Sequence, residues 1–349
     1  EEKRLYLKSQ DYFDKNNIHI IRKCKVVAID RNNKTILLEN QKQLGYEKLI
    51  IATGSIVNKL KTSSEETDLC YLRTIRDSLK IREKLRSKNK ITIIGAGYIG
   101  LEIASIVAKK NLEVSVLELE NRVMGRVVST EVSDFLQKKH QSEGVEFKFN
   151  TSITNIEDQG KQKRIICSDG SFLDTDVVVI GVGIKPNIEL AKSSGLKCDN
   201  GILVDDNGQT SDPHIFAVGD CSNHPNNIFK QRLRLESVQN AVEQAKSIAA
   251  SIIGSHKPYQ EVPWFWSDQY NIKLQIAGIS QDHDHRVIRG YPEEEKFAVF
   301  YQKEKRLIAV DAINSPKEFM VGKKWIAMQA KIPFELIRNM DVDLKKIVE

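Results

Sequence analysis

The stretch Ile91-Thr92-Ile93-Ile94-Gly95-Ala96-Gly97-Tyr98-Ile99-Gly100-Leu101-Glu102 decides the fold. A short apolar run, typical of a buried strand, breaks into the spacing G-x-G-x-x-G and continues as a helical pattern. In such a turn Gly95 permits the tight bend, Gly97 lets the backbone approach phosphates, and Gly100 allows close packing of helix on strand. The new helix directs its N–H groups and the positive end of its dipole at an anion. The stretch therefore predicts a pyrophosphate site.

The residues that follow this fingerprint indicate a dinucleotide. A helix is predicted from Tyr98 to Lys110, followed by the strand 113–117 and the acid Glu118. Glu118 has about the spacing of the carboxylate that bonds the adenosine ribose hydroxyls. A carboxylate there repels a 2′-phosphate, so NADH is favoured over NADPH. A glycine turn without a ligand is the alternative, and strand, helix and acid together argue against it.

Length and composition exclude several classes. A chain of 349 residues exceeds one ordinary core, and 40% hydrophobic with 29% charged residues is typical of a globular protein. We find neither a bilayer-length apolar run nor a signal peptide, so we expect a cytoplasmic protein without a membrane partner. The net charge of +6 is mild, and the basic cluster 80–90 reads as a solvated helix face rather than a nucleic-acid surface. It could still steer an acidic protein partner.

The cysteines and histidines form no site pattern. Five cysteines are scattered singly, at Cys24, Cys70, Cys167, Cys198 and Cys221. This spacing argues against zinc, an iron–sulfur cluster or a redox disulfide within these residues. The seven histidines show no metal-ligand spacing either. We therefore predict no metal site.

Three apolar strands end in small residues. They lead into Ala52-Thr53-Gly54, Gly181-Val182-Gly183 and Gly219-Asp220. In open α/β sheets ligands bind outside the carboxyl ends of the strands, so we expect Gly181 to lie beside the fingerprint. Asp220 adds a carboxylate that can accept from a sugar-like hydroxyl.

The rest of the chain predicts further elements. A charged helix over 1–17, a hairpin over 24–38 and a helix over 238–252 with Ser237 as its N-cap are expected. Alternating strands near Leu274, near Val287, over 297–301 and over 307–313 indicate an antiparallel sheet, and short helices over 319–330 and 334–340 complete the chain.

Several segments together resemble a known family. They are 52–54, 72–74, the fingerprint, 181–187, 210–220, 234–238 and 263–278. In this order they resemble the FAD-dependent ferredoxin reductases of bacterial oxygenase and P450 systems, across essentially the whole chain. The block Pro263-Trp264-Phe265-Trp266-Ser267-Asp268-Gln269 is the most specific part, because it is similar to the C-terminal signature of that branch. The apoptosis-inducing flavoproteins are more distant relatives with the same architecture.

The resemblance implies an α/β fold with two Rossmann-like three-layer domains of the FAD/NAD-linked reductase type and a C-terminal α+β domain. The implied boundaries are 1–54 for the first FAD segment, 55–186 for the NADH domain, 187–262 for the second FAD segment and 263–349 for the C-terminal interface domain.

The resemblance also assigns cofactor positions. Those toward FAD are Val26 on the adenine, Ala52, Thr53, Gly54, Arg73, Gly219, Asp220 on the ribityl chain, and Val238 at a helix start beside the flavin ring. Those toward NADH are Gly95, Gly97, Tyr98, Ile99, Gly100, Glu118, Gly183 and, on the adenosine side, Arg126. Glu102, Glu236 and Trp266 are placed where the nicotinamide meets the flavin. No catalytic acid or base is predicted, because the cofactors supply the chemistry.

The implied activity is that of an NADH:ferredoxin reductase. Electrons pass from NADH through FAD to a [2Fe–2S] ferredoxin that serves an oxygenase or P450. The family also has a first βαβ unit of roughly 30 or more residues with its own G-x-G-x-x-G for the FAD pyrophosphate, which 1–349 does not contain. We expect that segment to precede Glu1; the alternative is a chain that cannot hold FAD normally.

Two other functions stay open. An NADH oxidase or disulfide-type reductase would carry its reactive cysteine in that first unit. The block 263–269 argues against this reading, as does the mid-chain position of His224-Pro225. A non-catalytic NAD-sensing protein similar to the apoptosis-inducing flavoproteins would bind NADH with negligible ferredoxin reduction.

Overall fold

The computed structural model describes residues 5–60, 68–255 and 258–347. The helices are α1 (Gln10–Lys15), α2 (Ile75–Lys84), α3 (Tyr98–Ala108), α4 (Thr130–Ser142), α5 (Glu189–Ser193), α6 (Val238–Ile252), α7 (Pro316–Ala327) and α8 (Phe334–Arg338). The strands in the first half are β1 (Val26–Asp30), β2 (Thr35–Leu38), β3 (Gln43–Gly45), β4 (Leu49–Ile51), β5 (Ser55–Val57), β6 (Cys70–Tyr71), β7 (Lys90–Ile94), β8 (Glu113–Leu117), β9 (Val145–Lys148), β10 (Ile153–Asp158), β11 (Lys163–Cys167) and β12 (Phe172–Thr175). Those in the second half are β13 (Val177–Ile180), β14 (Ile184–Pro186), β15 (Ile202–Leu203), β16 (Ile215–Ala217), β17 (Ser222–Asn226), β18 (Gln231–Leu233), β19 (Trp264–Gln269), β20 (Ile272–Gly278), β21 (His285–Tyr291), β22 (Lys296–Lys303) and β23 (Arg306–Ile313).

A five-stranded parallel sheet carries the fingerprint. Its strand order is β6-β13-β7-β8-β9. All four residues of β13 are buried, as expected of an apolar strand covered on both faces. Helices α3 and α4 connect successive strands of the β7-β8-β9 half. The antiparallel sheet β10-β11-β12 packs beside it through Ile156 and Ile165, which join the cluster around Ile94 and Leu117.

A second unit is formed by the chain segments that precede and follow that sheet in the sequence. Strand β4 pairs in parallel with β16, so that Ile51 lies opposite Ala217. The sheets β1-β2-β3 and β15-β17-β18 flank this pair, and Ile29, Ile202 and Ile215 share its core. A short antiparallel ribbon of β5 and β14, with Ser55 opposite Pro186, joins the two units.

The C-terminal unit is an antiparallel sheet of order β19-β20-β23-β22-β21. Helix α7 covers one face, where Trp325 is buried against the Phe300 side of the sheet. The other face joins the core of the fingerprint sheet, since Leu274 and Phe297 lie in one cluster with Leu101 of α3. Phe297 also meets Phe135 of α4 edge-on, with ring centroids 5.2 Å apart.

Most predicted elements are present, with shifted ends. Helix α1 covers only Gln10–Lys15 of the helix predicted over 1–17, because Ser9 caps it; residues 1–4 lie outside the described part of the chain. Helix α2 ends at Lys84, before the end of the basic cluster. Helix α6 begins at Val238 after the Ser237 cap, as predicted. Within the described ranges no helix is both long enough and apolar enough to cross a membrane.

Candidate functional site

The fingerprint forms a tight turn between β7 and α3. The Gly95 N–H donates to Leu117 O at 2.8 Å, which fixes the turn on the neighbouring strand. Gly95 has a φ of +100°, and a Cβ there would lie 2.5 Å from Gly181 O. Gly181 is thus placed beside the fingerprint, as predicted. A Cβ on Gly97, in contrast, would meet nothing within 4 Å. The backbone at Gly97 therefore faces open space at the start of α3, where a phosphate can approach.

A cleft of about 590 Å³ opens from this turn. Eight of the sequence-predicted residues line it, namely Gly95, Gly97, Tyr98, Ile99, Glu118, Arg126, Gly183 and Glu236. Its floor is apolar, with Ile94, Leu117 and Ile180. Leu60, Met124 and Thr151 also line it and were not predicted from the sequence.

Glu118 sits at the end of β8 with its carboxylate held by the backbone. Its Oε2 accepts from Ala96 N–H at 2.6 Å and its Oε1 accepts from Glu120 N–H at 2.9 Å. Each carboxylate oxygen has a further lone pair, so the group can still accept from two ribose hydroxyls. The exposed Arg126 lines the same cleft.

The ends of β4 and β16 come together in a second group, which we call the strand-end group: Gly54, Ser55, Arg73, Gly219 and Asp220. The Ser55 hydroxyl donates to Asp220 Oδ2 at 2.7 Å, and the Arg73 guanidinium lies 3.3 Å from the same oxygen. Arg73 Nε also donates to Ser55 O at 3.1 Å. Gly54 has a φ of +64°, a left-handed backbone conformation, so this position favours glycine.

Side chains from neighbouring elements hold this group in place. Gln244 of α6 accepts the Gly219 N–H at 2.8 Å and the Ser222 hydroxyl at 3.0 Å. The Thr53 hydroxyl donates to Asn187 O at 2.6 Å, which ties the end of β4 to the segment after β14. Ala52, exposed, directly follows β4. Both strand ends are therefore fixed by buried or half-buried hydrogen bonds.

Helix α6 exposes the residue at its start. Val238 is 62% exposed, while Gln239 and Asn240 beside it are buried. Ser237 caps the helix by accepting Asn240 N–H at 3.1 Å. Glu236, one residue before the cap, lines the nucleotide cleft. The cleft therefore extends to the start of α6.

Glu102 and Trp266 lie at the contact between α3 and β19. The Ser267 hydroxyl donates to Glu102 Oε1 at 2.6 Å. Burial raises the pKa of the Glu102 carboxyl above its ordinary value, and this hydrogen bond counteracts part of the rise. The half-buried Trp266 ring lies 5.5 Å from that of Trp264. Val26, half-buried at the start of β1, stays a predicted adenine contact.

Besides the unpredicted cleft residues, sequence reasoning missed three polar residues that hold the sites in place, namely Ser55, Gln244 and Ser267. Ser55 directly follows the predicted Ala52-Thr53-Gly54 segment, and its position after a strand end was a usable signal. Gln244 is one of several polar residues on α6, so its sequence context did not mark it as buried. Ser267 lay inside the block 263–269, but nothing local indicated that it pairs with Glu102.

Comparisons with known proteins place this architecture. The family model described as pyridine nucleotide-disulphide oxidoreductase matches residues 4–245, and the model described as reductase C-terminal matches 264–348. The chain belongs to the pyridine nucleotide-disulphide oxidoreductase family. Within it the chain is putidaredoxin reductase-like: it is 38% identical to putidaredoxin reductase CamA of Pseudomonas putida, over 99% of this chain and 83% of that protein.

Solved structures agree. The ferredoxin reductase for the CYP199A2 system of Rhodopseudomonas palustris is 37% identical with a TM-score of 0.97, over 100% of this chain and 87% of that one. Putidaredoxin reductase in its covalent complex with putidaredoxin is 37% identical with a TM-score of 0.96, over 100% and 85%. The family resemblance and the α/β fold with its C-terminal domain predicted from the sequence are confirmed.

Proposed function

We propose that this family member passes electrons from NADH through FAD to a [2Fe–2S] ferredoxin that serves an oxygenase or P450. One observation carries the proposal: a single cleft runs from Gly97 at the fingerprint to Glu236 at the start of α6, and its lining includes Val57 and Leu72, which adjoin the strand-end group in sequence. FAD, when bound, accepts two electrons as a hydride and releases them singly. The names of the relatives and of the solved complex support the choice of acceptor.

The nucleotide side of the proposal follows from the fingerprint. The open backbone at Gly97 and the start of α3 would hold the pyrophosphate. Glu118 would accept from the adenosine ribose, and its charge would repel a 2′-phosphate, so NADH is the proposed donor. Gly100, whose neighbour Ile99 lines the cleft, would bring α3 close to the strand, while Tyr98, Arg126 and Gly183 would border the bound nucleotide.

The strand-end group fits FAD. Gly54 and Gly219 both have positive φ, which lets the chain turn sharply at each strand end, and Asp220 would accept from the ribityl hydroxyls while Ser55 and Arg73 hold its orientation. Thr53 and the exposed Val238 would contact the cofactor from either side. The N–H groups at the start of α6 would stabilise negative charge on the flavin ring. Trp266 and Glu236 would bound the place where the nicotinamide meets it.

The division of the chain is part of the proposal. Residues 1–54 and 187–262 would form the FAD unit, 55–186 the NADH unit and 263–349 the C-terminal unit. The β5–β14 ribbon supports this, because Ser55 and Pro186 face each other where the chain leaves and re-enters the FAD unit. We also propose a cytoplasmic location, since all five cysteines are free.

Thiol chemistry is not favoured within the described residues. Cys70, Cys167 and Cys221 are buried, and Cys24 and Cys198 are half-buried. Burial raises the pKa of the Cys70 and Cys198 thiols, which disfavours the reactive thiolate. A disulfide-type reductase would need a more acidic thiol than these.

The test is anaerobic stopped-flow on protein expressed from its complete gene. Flavin absorbance at purification, its bleaching by NADH, and subsequent one-electron reduction of a [2Fe–2S] ferredoxin are the expected results. A flavin-free, inactive protein would refute the reductase. Rapid bleaching followed by reoxidation with oxygen or a disulfide, but not with ferredoxin, would favour the oxidase or disulfide-type alternative. NADH binding with negligible ferredoxin reduction would favour the NAD-sensing alternative.

A further inference from the structure

A buried polar chain joins the NADH unit to the C-terminal sheet. From Glu102 the bonds run to Ser267 (2.6 Å), Gln269 (3.1 Å), His140 (2.9 Å) and Tyr270 (3.1 Å). Ser267 and Gln269 are 1% exposed and His140 is 0% exposed. Glu102 lies on α3 and His140 on α4, whereas Ser267 and Gln269 lie on β19. The hydrogen-bond chain thus crosses the interface three times, from Glu102 to Ser267, from Gln269 to His140 and from His140 to Tyr270, and its central residues are shielded from bulk water.

Every donor in this hydrogen-bond chain donates toward Glu102. An ionised Glu102 only accepts, so the single proton of Ser267 is used on it, and Gln269 Nε2 must donate to Ser267 Oγ. Gln269 Oε1 then accepts from His140 Nε2–H. His140 Nδ1 is left as an acceptor for the Tyr270 hydroxyl. The order fixes His140 as the neutral Nε2–H tautomer and directs four successive donors toward one carboxylate.

The charges around each end agree with this assignment. Burial lowers the pKa of His140, with Glu143 raising it and Lys139 lowering it further, so the ring is neutral near pH 7. At the other end, burial raises the pKa of Glu102 and the Asp268 carboxylate adds to the rise. The Ser267 hydroxyl and the Asp268 N–H lower it.

The Tyr270 end lies between two lysines. The Lys109 and Lys139 ammonium groups are each 5.7 Å from the Tyr270 ring centroid, and Lys109 also donates to Tyr270 O at 3.1 Å. Burial raises the pKa of the Tyr270 phenol well above its ordinary value, so the phenol keeps its proton and remains a donor near neutral pH. The positive charges sit at the end of the chain opposite Glu102.

We infer that Ser267, Gln269 and His140 are positioning residues that keep the Glu102 carboxylate ionised and fixed on α3, behind the cleft lining and near the place proposed for the nicotinamide. The inference rests on the proposed function. Glu102 lies one turn after Tyr98, which lines the cleft, and next to the block that contains Trp266. Hydride donation from NADH to the flavin leaves a positive charge on the nicotinamide ring, and a carboxylate held nearby stabilises that charge.

The kinetic test compares Ser267→Ala, His140→Leu and His140→Gln in flavin-loaded protein. Loss of the bond to Glu102 should move the acid limb of NADH-dependent flavin reduction about one to two pH units higher for Ser267→Ala. His140→Leu should shift it in the same direction by less. His140→Gln should return the acid limb to its wild-type pH, because a glutamine Nε2 can donate to Gln269.

Arg286→Gln is the matched control. It breaks the 2.9 Å pair between Arg286 and Glu131, which also joins the C-terminal sheet to α4 but lies off the chain. Its pH profile should match the wild type. If Ser267→Ala and Arg286→Gln give the same profile, the inference is overturned.

A second readout is independent of turnover. In ¹⁵N-histidine NMR spectra His140 should be the Nε2–H tautomer at pH 7, and Glu102→Gln should move its resonances while Arg286→Gln should not. An Nδ1–H tautomer, an imidazolium, or His140 resonances that do not move in Glu102→Gln would refute the proposed hydrogen-bond chain. A wild type that shows this chain but does not oxidise NADH would instead refute the proposed function, and with it the role of Glu102.

Discussion

Gly100 packs so closely on the fingerprint turn that a Cβ built on it would lie 2.0 Å from the carbonyl oxygen of Gly95. Two backbone segments meet here, so neither can move aside cheaply. The closeness of α3 to β7 thus depends on one missing methyl group. Gly97, three residues earlier, is the opposite case, since a Cβ there meets open space.

Alanine at these two glycines should therefore give opposite phenotypes. Gly100→Ala should lower the free energy of unfolding by about 1–3 kcal/mol through overpacking. Gly97→Ala should leave stability within about 0.5 kcal/mol but weaken NADH binding at least tenfold, because the methyl group occupies the phosphate approach. Thermal unfolding measures the stability of each variant, and titration with NADH measures its affinity for the nucleotide. Equal losses of stability would contradict the assignment.

Glu118 should determine the choice of nucleotide. Glu118→Ala should raise KM for NADH by roughly 10- to 100-fold, the effect of losing a charged hydrogen-bond acceptor, and should narrow the preference for NADH over NADPH. Glu113→Ala, at the exposed start of the same strand, is the control and should leave both constants unchanged. An unaltered NADH-to-NADPH ratio in Glu118→Ala would show that selectivity lies elsewhere.

Arg73 should matter for flavin retention rather than for stability. Its pair with Asp220 is partly exposed, and such pairs contribute about 0–1 kcal/mol. Arg73→Met should nevertheless release Asp220 and reduce the flavin-to-protein absorbance ratio after gel filtration, with little change in Tm. Arg76→Met, an exposed arginine of α2, should retain its flavin. Full flavin content in Arg73→Met would count against the proposed FAD site.

Asp311 should make stability depend on pH. Complete burial raises its pKa to about 7, above the ordinary 3.8, although the Tyr301 hydroxyl donates to it at 2.6 Å. The native state therefore holds a proton that the unfolded chain releases. Stability is greatest below pH 3.8 for this group and is lost as pH rises through 7, on the order of 2–4 kcal/mol.

Asp311→Asn should remove this dependence. Denaturant unfolding between pH 4 and 8 should show a flatter profile than the wild type. Asp341→Asn, at an exposed position, should keep the wild-type slope. If the free energy of unfolding of Asp311→Asn depends on pH as steeply as that of the wild type, the dependence arises from other groups.

Local patterns predicted local structure well. The apolar run into Gly95 and the helical spacing after it gave β7 and α3, because both follow from neighbouring residues. The same periodicity gave α6 from Val238 to Ile252 but not its buried face. Gln239 and Gln244 face inward there, while Val242 is 40% exposed. Hydropathy does not predict this polar face, which is buried where Gln244 accepts the Gly219 N–H.

The sites were predictable only in part for the same reason. Gly97 and Glu118 belong to one short motif, so their meeting in a cleft follows from spacing. The bonds from Ser55 to Asp220 and from Ser267 to Glu102 each join residues 165 positions apart. Such pairs depend on how separate units dock, and no local signal encodes that.

The core shared by Leu101 and Phe297 has a consequence for how the chain behaves as a whole. Removal of the C-terminal sheet would take away part of the interior of the NADH unit and leave its helices α3 and α4 with a solvent-exposed apolar face. The proposed boundary at residue 263 then divides the sequence into two segments but does not divide the protein into two cooperative folding units. We expect the two units to melt as one, and neither to survive as an isolated fragment.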